Sequence, residues 1–406
     1  MKLNERATGS GFNLGPTERR CVPIFLALLF FLTSFSEFAL VGILDIVAED
    51  LGMSVSAVGQ FLTAFSLAGA IGVPIAFALG GRMSRRHMTL ISLLLVAISS
   101  CATVFVDSYT GIMISRIVLA ISSGVFSVTA FVTASHLAPK GKTMSAISTL
   151  MIGYNLAILL GLPLGRLMAH HLNWRVSFAL FGILTLLVIP YALRITPEEA
   201  GGTTPSLLKQ LRLLGRRPVL FTLAINLFWK GGYATIYSYI TPFIQERTGS
   251  PEKVLSAILL GFGIATMVGT KFGGALADKL GMRTTLISVL ALHICALVAL
   301  LIPSGQVMTL TLLVVWGFIA WTPSAVIQQA AIIAAPDAVN MSLSLKNTAT
   351  QLAYALGGAL GGLILQAGAS THLLLAGIGM MGVALALAFA LRVGSNKTES
   401  LVAQPA

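Results

Sequence analysis

Apolar segments long enough to cross a bilayer recur along nearly the whole chain, separated by brief polar stretches. They lie near 22–47, 57–79, 88–106, 109–135, 143–169, 175–193, 218–243, 254–277, 284–302, 307–334, 341–367 and 371–391. About 20 apolar residues suffice for a helix to cross roughly 30 Å of hydrocarbon. Lipid offers no hydrogen bonds to bare backbone, so only helices or closed barrels span it. Barrel strands alternate polar and apolar residues. The run Leu93–Leu94–Leu95–Val96–Ala97–Ile98 does not, so the segments read as helices. Only 10% of the residues are charged, against about 25% in a soluble domain. That excludes a soluble globule, and the 56% hydrophobic content excludes a disordered chain. The expected class is an all-α integral membrane protein with 12 transmembrane helices.

The net charge of +12 needs to be located before it is interpreted. An even number of spans puts both termini on one side. If that side is the cytoplasm, Lys2, Arg6, Arg19, Arg20, Arg82, Arg85, Arg86, Lys140, Lys142, Arg194, Lys209, Arg212, Arg216, Arg217, Lys279, Arg283, Arg392 and Lys397 lie inside. Only Arg175, Arg247 and Lys253 lie outside. Basic residues concentrate on the cytoplasmic side of membrane proteins, so both termini are expected there. The excess is topology rather than a nucleic-acid surface. Arg19–Arg20 precedes an apolar run too long for a cleavable signal, with no small-residue cleavage pattern. Cys21, Cys101 and Cys295 are scattered, without metal-ligand spacing, and read as apolar filler.

The longest cytoplasmic connection, 195–217, is rich in Gly, Thr, Pro and charge, with a possible amphipathic helix at Leu207–Leu214. It divides the chain into a six-helix half at 1–194 and another at 218–406. An internal repeat supports the division. Leu156, Ala157, Leu160, Gly161, Leu164 and Gly165 all recur 196 positions later, in the segment from Gln351 to Gly361. Thr89–Leu90–Ile91–Ser92 recurs as Thr285–Leu286–Ile287–Ser288 at the same offset. Two parallel halves are an arrangement that many secondary transporters use.

After span 8 comes Gly274–Ala275–Leu276–Ala277–Asp278–Lys279–Leu280–Gly281–Met282–Arg283. It resembles the G-x-x-x-D-[RK]-x-G-x-[RK] loop of the major facilitator superfamily. The resemblance implies that Gly274, Asp278, Lys279, Gly281 and Arg283 help latch a cytoplasmic gate. Asp278 is expected to bond backbone amides at a neighbouring helix N-terminus. The partner loop after span 2 has Gly81 where that acid would stand, leaving Arg85 and Arg86 as basic anchors. Ser115–Arg116 in span 4 is similar to the family's intramembrane Arg motif. Gly153, Gly161, Pro163 and Gly165 in span 5 resemble the antiporter motif of its proton-coupled efflux branches, in a looser spacing. Ordinary small-residue helix packing explains those glycines equally well.

Span 1, with Ser36–Glu37–Phe38–Ala39–Leu40–Val41–Gly42, looks like the signature of the twelve-spanner drug:proton antiporters. Tyr237–Ser238–Tyr239–Ile240–Thr241–Pro242–Phe243 in span 7 is close to their aromatic pattern. The resemblance is nearest to bacterial sugar-efflux and purine-efflux members. It implies two pseudo-symmetric six-helix halves in an inner (cytoplasmic) membrane, and the chain is expected to be a monomer in the bilayer.

Within the spans lie Glu37, Arg116, Arg166, Lys230, Lys271 and Lys346. Charges inside a bilayer are costly and mark pathways by default. Arg166 and Lys271 lie near span ends and can snorkel to headgroups. Glu37 is 14 residues past Pro23, and Lys230 is 12 past Pro218. At 1.5 Å per residue these are about 21 and 18 Å along helices 1 and 7, near the midplane. An acid there can take up and release a proton, as coupling to a proton gradient requires. Glu37 is therefore the expected protonation site, tuned by Arg116 or Lys230; a fixed structural ion pair is the alternative. Lys230 and Lys346 could recruit an anionic substrate, or pair with Glu37. Tyr233, Tyr237, Asn155, Trp321, Gln328 and Asn347 complete the expected substrate cavity, a mostly apolar pocket with a few polar contacts.

The function these residues imply is proton-coupled export of a small molecule, whether sugar, nucleobase, drug or organic acid, by alternating access. An uptake symporter of the same fold and a non-transporting membrane sensor or scaffold are the alternatives. The sequence has no G-x-x-x-x-G-K-[ST] phosphate loop and no metal or Ser-centred catalytic pattern. Neither an ATP-driven pump nor an enzyme is expected, and no cofactor, the proton gradient supplying the energy.

Overall fold

The computed structural model describes residues 16–80, 83–138, 143–196, 212–367 and 370–390. Gly81, Arg82, Lys140, Lys142 and most of the 195–217 connection, including Leu207–Leu211 of its expected helix, lie outside the described residues.

The elements, in chain order, are α1 (Pro16–Gly42), α2 (Leu44–Leu51), α3 (Val55–Leu79), α4 (Arg85–Ala102), α5 (Tyr109–Leu137), α6 (Thr143–His171) and α7 (Trp174–Ile195). The second half holds α8 (Arg217–Tyr237), α9 (Ile240–Thr248), α10 (Glu252–Leu280), α11 (Met282–Leu301), α12 (Gln306–Trp321), α13 (Pro323–Ala334), a 3₁₀ turn at Pro336–Ala338, α14 (Val339–Gln366) and α15 (Thr371–Ala390). Among the described residues, eleven spans qualify as membrane-crossing by length and composition. The 18-residue α4 is the further helix, in the place of the third expected span. Serine caps start three of these helices: the amides of Ala57, His87 and Gly111 donate to the hydroxyls of Ser54, Ser84 and Ser108. Such caps satisfy amides that a helix start leaves without partners.

Three expected spans are broken. The first stops at Gly42 and resumes at Leu44; the seventh is interrupted at Ser238–Tyr239; the tenth breaks at Thr322. Pro242 and Pro323 account for the last two, since proline removes an amide from the helical ladder. The first two breaks obey the sequence repeat, Ile43 and Tyr239 being 196 positions apart.

Helix packing follows the same register. In the first half α6 packs on α1, and in the second α14 packs on α8. A methyl placed on Gly161 would come within 2.6 Å of Phe38 Cβ and 3.3 Å of the Ala39 nitrogen. One on Gly357 would come within 2.7 Å of Ala234 Cβ and 2.9 Å of the Thr235 nitrogen. All three members of that contact are displaced by 196 positions. The repeat therefore fixes which backbones touch.

The halves meet where α3 packs on α14 and α6 on α10. At the end where α1 and α8 break they are tied directly. The Thr241 hydroxyl donates to the Val41 carbonyl at 3.2 Å, and the Ser56 hydroxyl to the Gly362 carbonyl at 2.7 Å. At the opposite end, among the described residues, α5 and α13 are not packed on each other.

Candidate functional site

Glu37 lies on α1 and faces a cavity of about 20 Å³ shared by both halves. Phe38, Val41, Leu62, Phe65 and Ser66 line it from the first half, and Tyr237, Ser238 and Tyr354 from the second. That is room for about one water-sized group. The carboxylate makes no ion pair or hydrogen bond with any described residue. The groups within electrostatic reach of it are the phenols of Tyr154, Tyr237 and Tyr354. The expected tuning by Arg116 or Lys230 has no counterpart in this geometry. Arg116, 1% exposed, stacks its guanidinium 4.0 Å above the Phe178 ring. Its Nε and Nη2 have no partner among the described residues.

Lys230, on α8, is 4% exposed. Its Nζ lies 3.4 Å from the Trp321 ring centroid, 4.2 Å from Trp229 and 5.2 Å from Tyr233. It has no hydrogen-bond partner among the described residues. Ring faces attract cations, by about 2 kcal/mol or more when desolvated. Trp229 is itself fixed by donating from Nε1 to the Ala320 carbonyl at 3.0 Å. Tyr233 stacks on Tyr237 with centroids 4.8 Å apart, so the aromatic wall runs from Lys230 toward the Glu37 cavity. Trp321 stands at the break in the tenth span, between α12 and α13.

Lys346, on α14, donates to Gln328 Oε1 at 2.9 Å and to Asn347 Oδ1 at 3.4 Å. Three of the sequence-derived cavity residues thus form one cluster. Asn226, one turn before Lys230, donates to the Lys346 carbonyl at 3.4 Å and to Thr350 at 3.0 Å. These bonds join α14 to α8 one turn from Lys230, whose ammonium is within electrostatic reach of Lys346. Asn155 is partly exposed on α6 and has no hydrogen bond to this cluster among the described residues.

Two expectations about charges need correction. Arg166 does not snorkel. It is 1% exposed and forms a two-pronged ion pair with Asp45, 2.8 Å for each bond, while Nη1 also donates to the Gly42 carbonyl at 3.0 Å. Gly42 sits at the break in the first span, where that carbonyl lacks a helical partner, so the guanidinium fills the break. Asp278 does not cap a neighbouring helix. It is exposed at the end of α10 and accepts no hydrogen bond from a described residue.

The rest of that loop is compact. Gly281, at φ 80°, is the single residue between α10 and α11, a conformation only glycine adopts without strain. Arg283 donates to the Phe389 carbonyl near the end of α15 at 2.8 Å, where a cation is favoured. Lys279 and Lys271 are exposed. Gly274 has ordinary contact with Ala325. Its neighbour Gly273 is the tight one, a methyl there meeting the Thr322 carbonyl at the tenth-span break. Arg85 is buried at the start of α4, with Arg86 beside it. In α6, methyls on Gly153, Gly161 and Gly165 would meet Ala27, Phe38 and Ala39 of α1, and the helix continues through Pro163.

One polar residue escapes sequence reasoning. His293 on α11 is fully buried and accepts from Trp316 Nε1 at 2.8 Å. Trp316 packs 5.5 Å from Tyr233, so His293 orients the second layer of the aromatic wall. A lone histidine in an apolar span is its only sequence signal.

Two six-helix halves that share a cavity, with an acid on its wall and a lysine pair in the second half, have the architecture of a multi-pass secondary transporter. The chain belongs to the Major Facilitator Superfamily, whose family model matches residues 26–338. It is 36% identical over 345 residues to the uncharacterized MFS-type transporter YbcL of Bacillus subtilis (strain 168), covering 84% of this chain and 88% of that one. It is 27% identical over 358 residues to the inner membrane transport protein YdhP of Escherichia coli (strain K12), covering 87% and 91%. Among solved structures, the fold is similar to a bacterial homolog of the human lysosomal transporter Spinster, inward-facing and unoccupied. The TM-score is 0.75 at 16% identity, covering 93% of this chain and 97% of that one.

Proposed function

We propose that this chain is a proton-coupled exporter of a small organic molecule, working by alternating access in a bacterial inner membrane as a monomer with both termini cytoplasmic. The observation that carries the proposal is Glu37, an acid on the wall of a cavity lined by both halves and held by no cation among the described residues. Such a carboxylate can exchange a proton without first breaking an ion pair. Rocking of the halves changes which solution it faces, so protonation and substrate binding alternate. The basic-residue distribution supports the orientation, and the name of the relative YdhP supports the membrane. In that orientation the hydrogen-bonded seal at Val41–Thr241 and Ser56–Gly362 closes the periplasmic side.

The test is metabolite profiling of the medium around a deletion strain and an overexpressing strain, with and without a protonophore. Export predicts a compound that accumulates outside with overexpression and stops accumulating with the protonophore. Depletion of a compound from the medium would establish uptake instead.

A further inference from the structure

We infer that the substrate is an aromatic carboxylate, held by Lys230 and Lys346 against the Trp321 and Tyr233 rings. This deepens the transport reading above and concerns what the site binds rather than how transport is driven.

Two lysines at this site have no balancing acid among the described residues. Lys230 Nζ is buried and has no hydrogen bond among the described residues. Lys346 is bonded to two neutral amides. Among the described residues no acid pairs with either lysine. Asp45 is taken by Arg166, and Glu37 stands among tyrosines. A buried charge left unpaired is costly unless something compensates it, and here ring faces compensate Lys230 in part. An anion entering this interface supplies what both ammonium groups lack.

The repeat shows that these charges belong to one half only. The positions 196 residues before Lys230 and Lys346 are Ser34 and Leu150. The shared fold therefore does not require cations there. The aromatic part follows from the wall: Trp229, Trp321 and Tyr233 surround the Lys230 ammonium, and Tyr237 stacks on Tyr233. Flat rings and a single carboxylate match that combination of π-faces and paired cations. Trp321 covers the Lys230 ammonium and sits at a helix break, so the carboxylate reaches Lys230 by displacing that ring.

Three of the four tryptophans, Trp229, Trp316 and Trp321, lie at this site, so intrinsic fluorescence reports on it. The experiment titrates the purified full-length protein with phenylacetate and with its neutral twin, phenylacetamide, at constant pH. We expect a saturable fluorescence change with phenylacetate and at least tenfold weaker binding of the amide. Lys230→Gln should abolish the response, Lys230→Arg should retain it, and Lys346→Gln should weaken it about tenfold. Lys346 is partly exposed, so its replacement keeps the test informative if the Lys230 variant does not fold. The inference is overturned if phenylacetate gives no saturable response, if the amide binds as well as the acid, or if folded Lys346→Gln binds like the parent. Binding at constant pH does not depend on Glu37. Loss of gradient-driven transport in Glu37→Gln, with phenylacetate binding intact, leaves this inference standing.

Discussion

Lys230 holds its ammonium 3.4 Å from the centroid of the Trp321 ring, with Trp229 on a second side at 4.2 Å. The cation is on one helix and the ring at the break of another, so their contact ties α8 to the junction of α12 and α13. Replacing Trp321 by Leu removes one cation–π face in a desolvated setting and should cost about 2 kcal/mol. Trp321→Phe should recover about half of that. Thermal unfolding of the purified variants checks the order.

The Arg166–Asp45 pair should behave as a buried ion pair at a helix break. Arg166→Gln leaves Asp45 uncompensated and the Gly42 carbonyl without its donor. A loss of about 3 kcal/mol is expected. The double variant Arg166→Gln with Asp45→Asn should lose less than the sum of the single variants. Full additivity in a double-mutant cycle would contradict the pairing.

Gly161 and Gly357 occupy equivalent contacts, and each should reject a methyl. Alanine at either position presses against backbone or Cβ atoms on a neighbouring helix, which cannot swing away. A penalty of about 1–3 kcal/mol is expected at both. Gly274→Ala, 3.7 Å from its nearest neighbour, should be tolerated. Melting temperatures of the three variants side by side distinguish packing glycines from the merely small.

The spans, the two halves and the offset between them were legible because hydropathy and repetition are properties of the chain itself. Helix breaks were less so. Hydropathy runs unbroken through Ile43 and Tyr239, and only Pro323 and Pro242 advertise an interruption. Asp45 lies near the end of the first expected span, and no local pattern announces its pairing with Arg166, 121 residues away. Lys346, Gln328 and Asn347, expected together from sequence, do hydrogen-bond through Lys346, because polar residues in apolar helices tend to find partners. The tyrosines around Glu37 come from α6, α8 and α14, and no local pattern announces such a meeting.

Arg216 and Asp337 form an exposed two-pronged pair, 2.5 and 2.8 Å, joining the starts of α8 and α14. Hydrogen bonding from Arg216 holds the Asp337 carboxyl below its ordinary 3.8, and the same bond raises Arg216. A depressed acid contributes stability above its unfolded pKa and loses it as pH falls through the folded value. The pair is thus fully formed throughout about pH 6 to 8. Asp337→Asn should leave the shape of the transport pH profile unchanged in that window. A displaced profile would show that this pair, rather than a membrane acid, sets the pH response.

The central claim is that Glu37 carries the coupled proton. Its most direct measurement uses proteoliposomes and the compound that the parent protein exports. Glu37→Gln should retain exchange of labelled for unlabelled compound across the membrane, within about threefold of the parent. It should show no accumulation driven by an imposed pH gradient. Gradient-driven accumulation by Glu37→Gln at the parent rate would contradict the account.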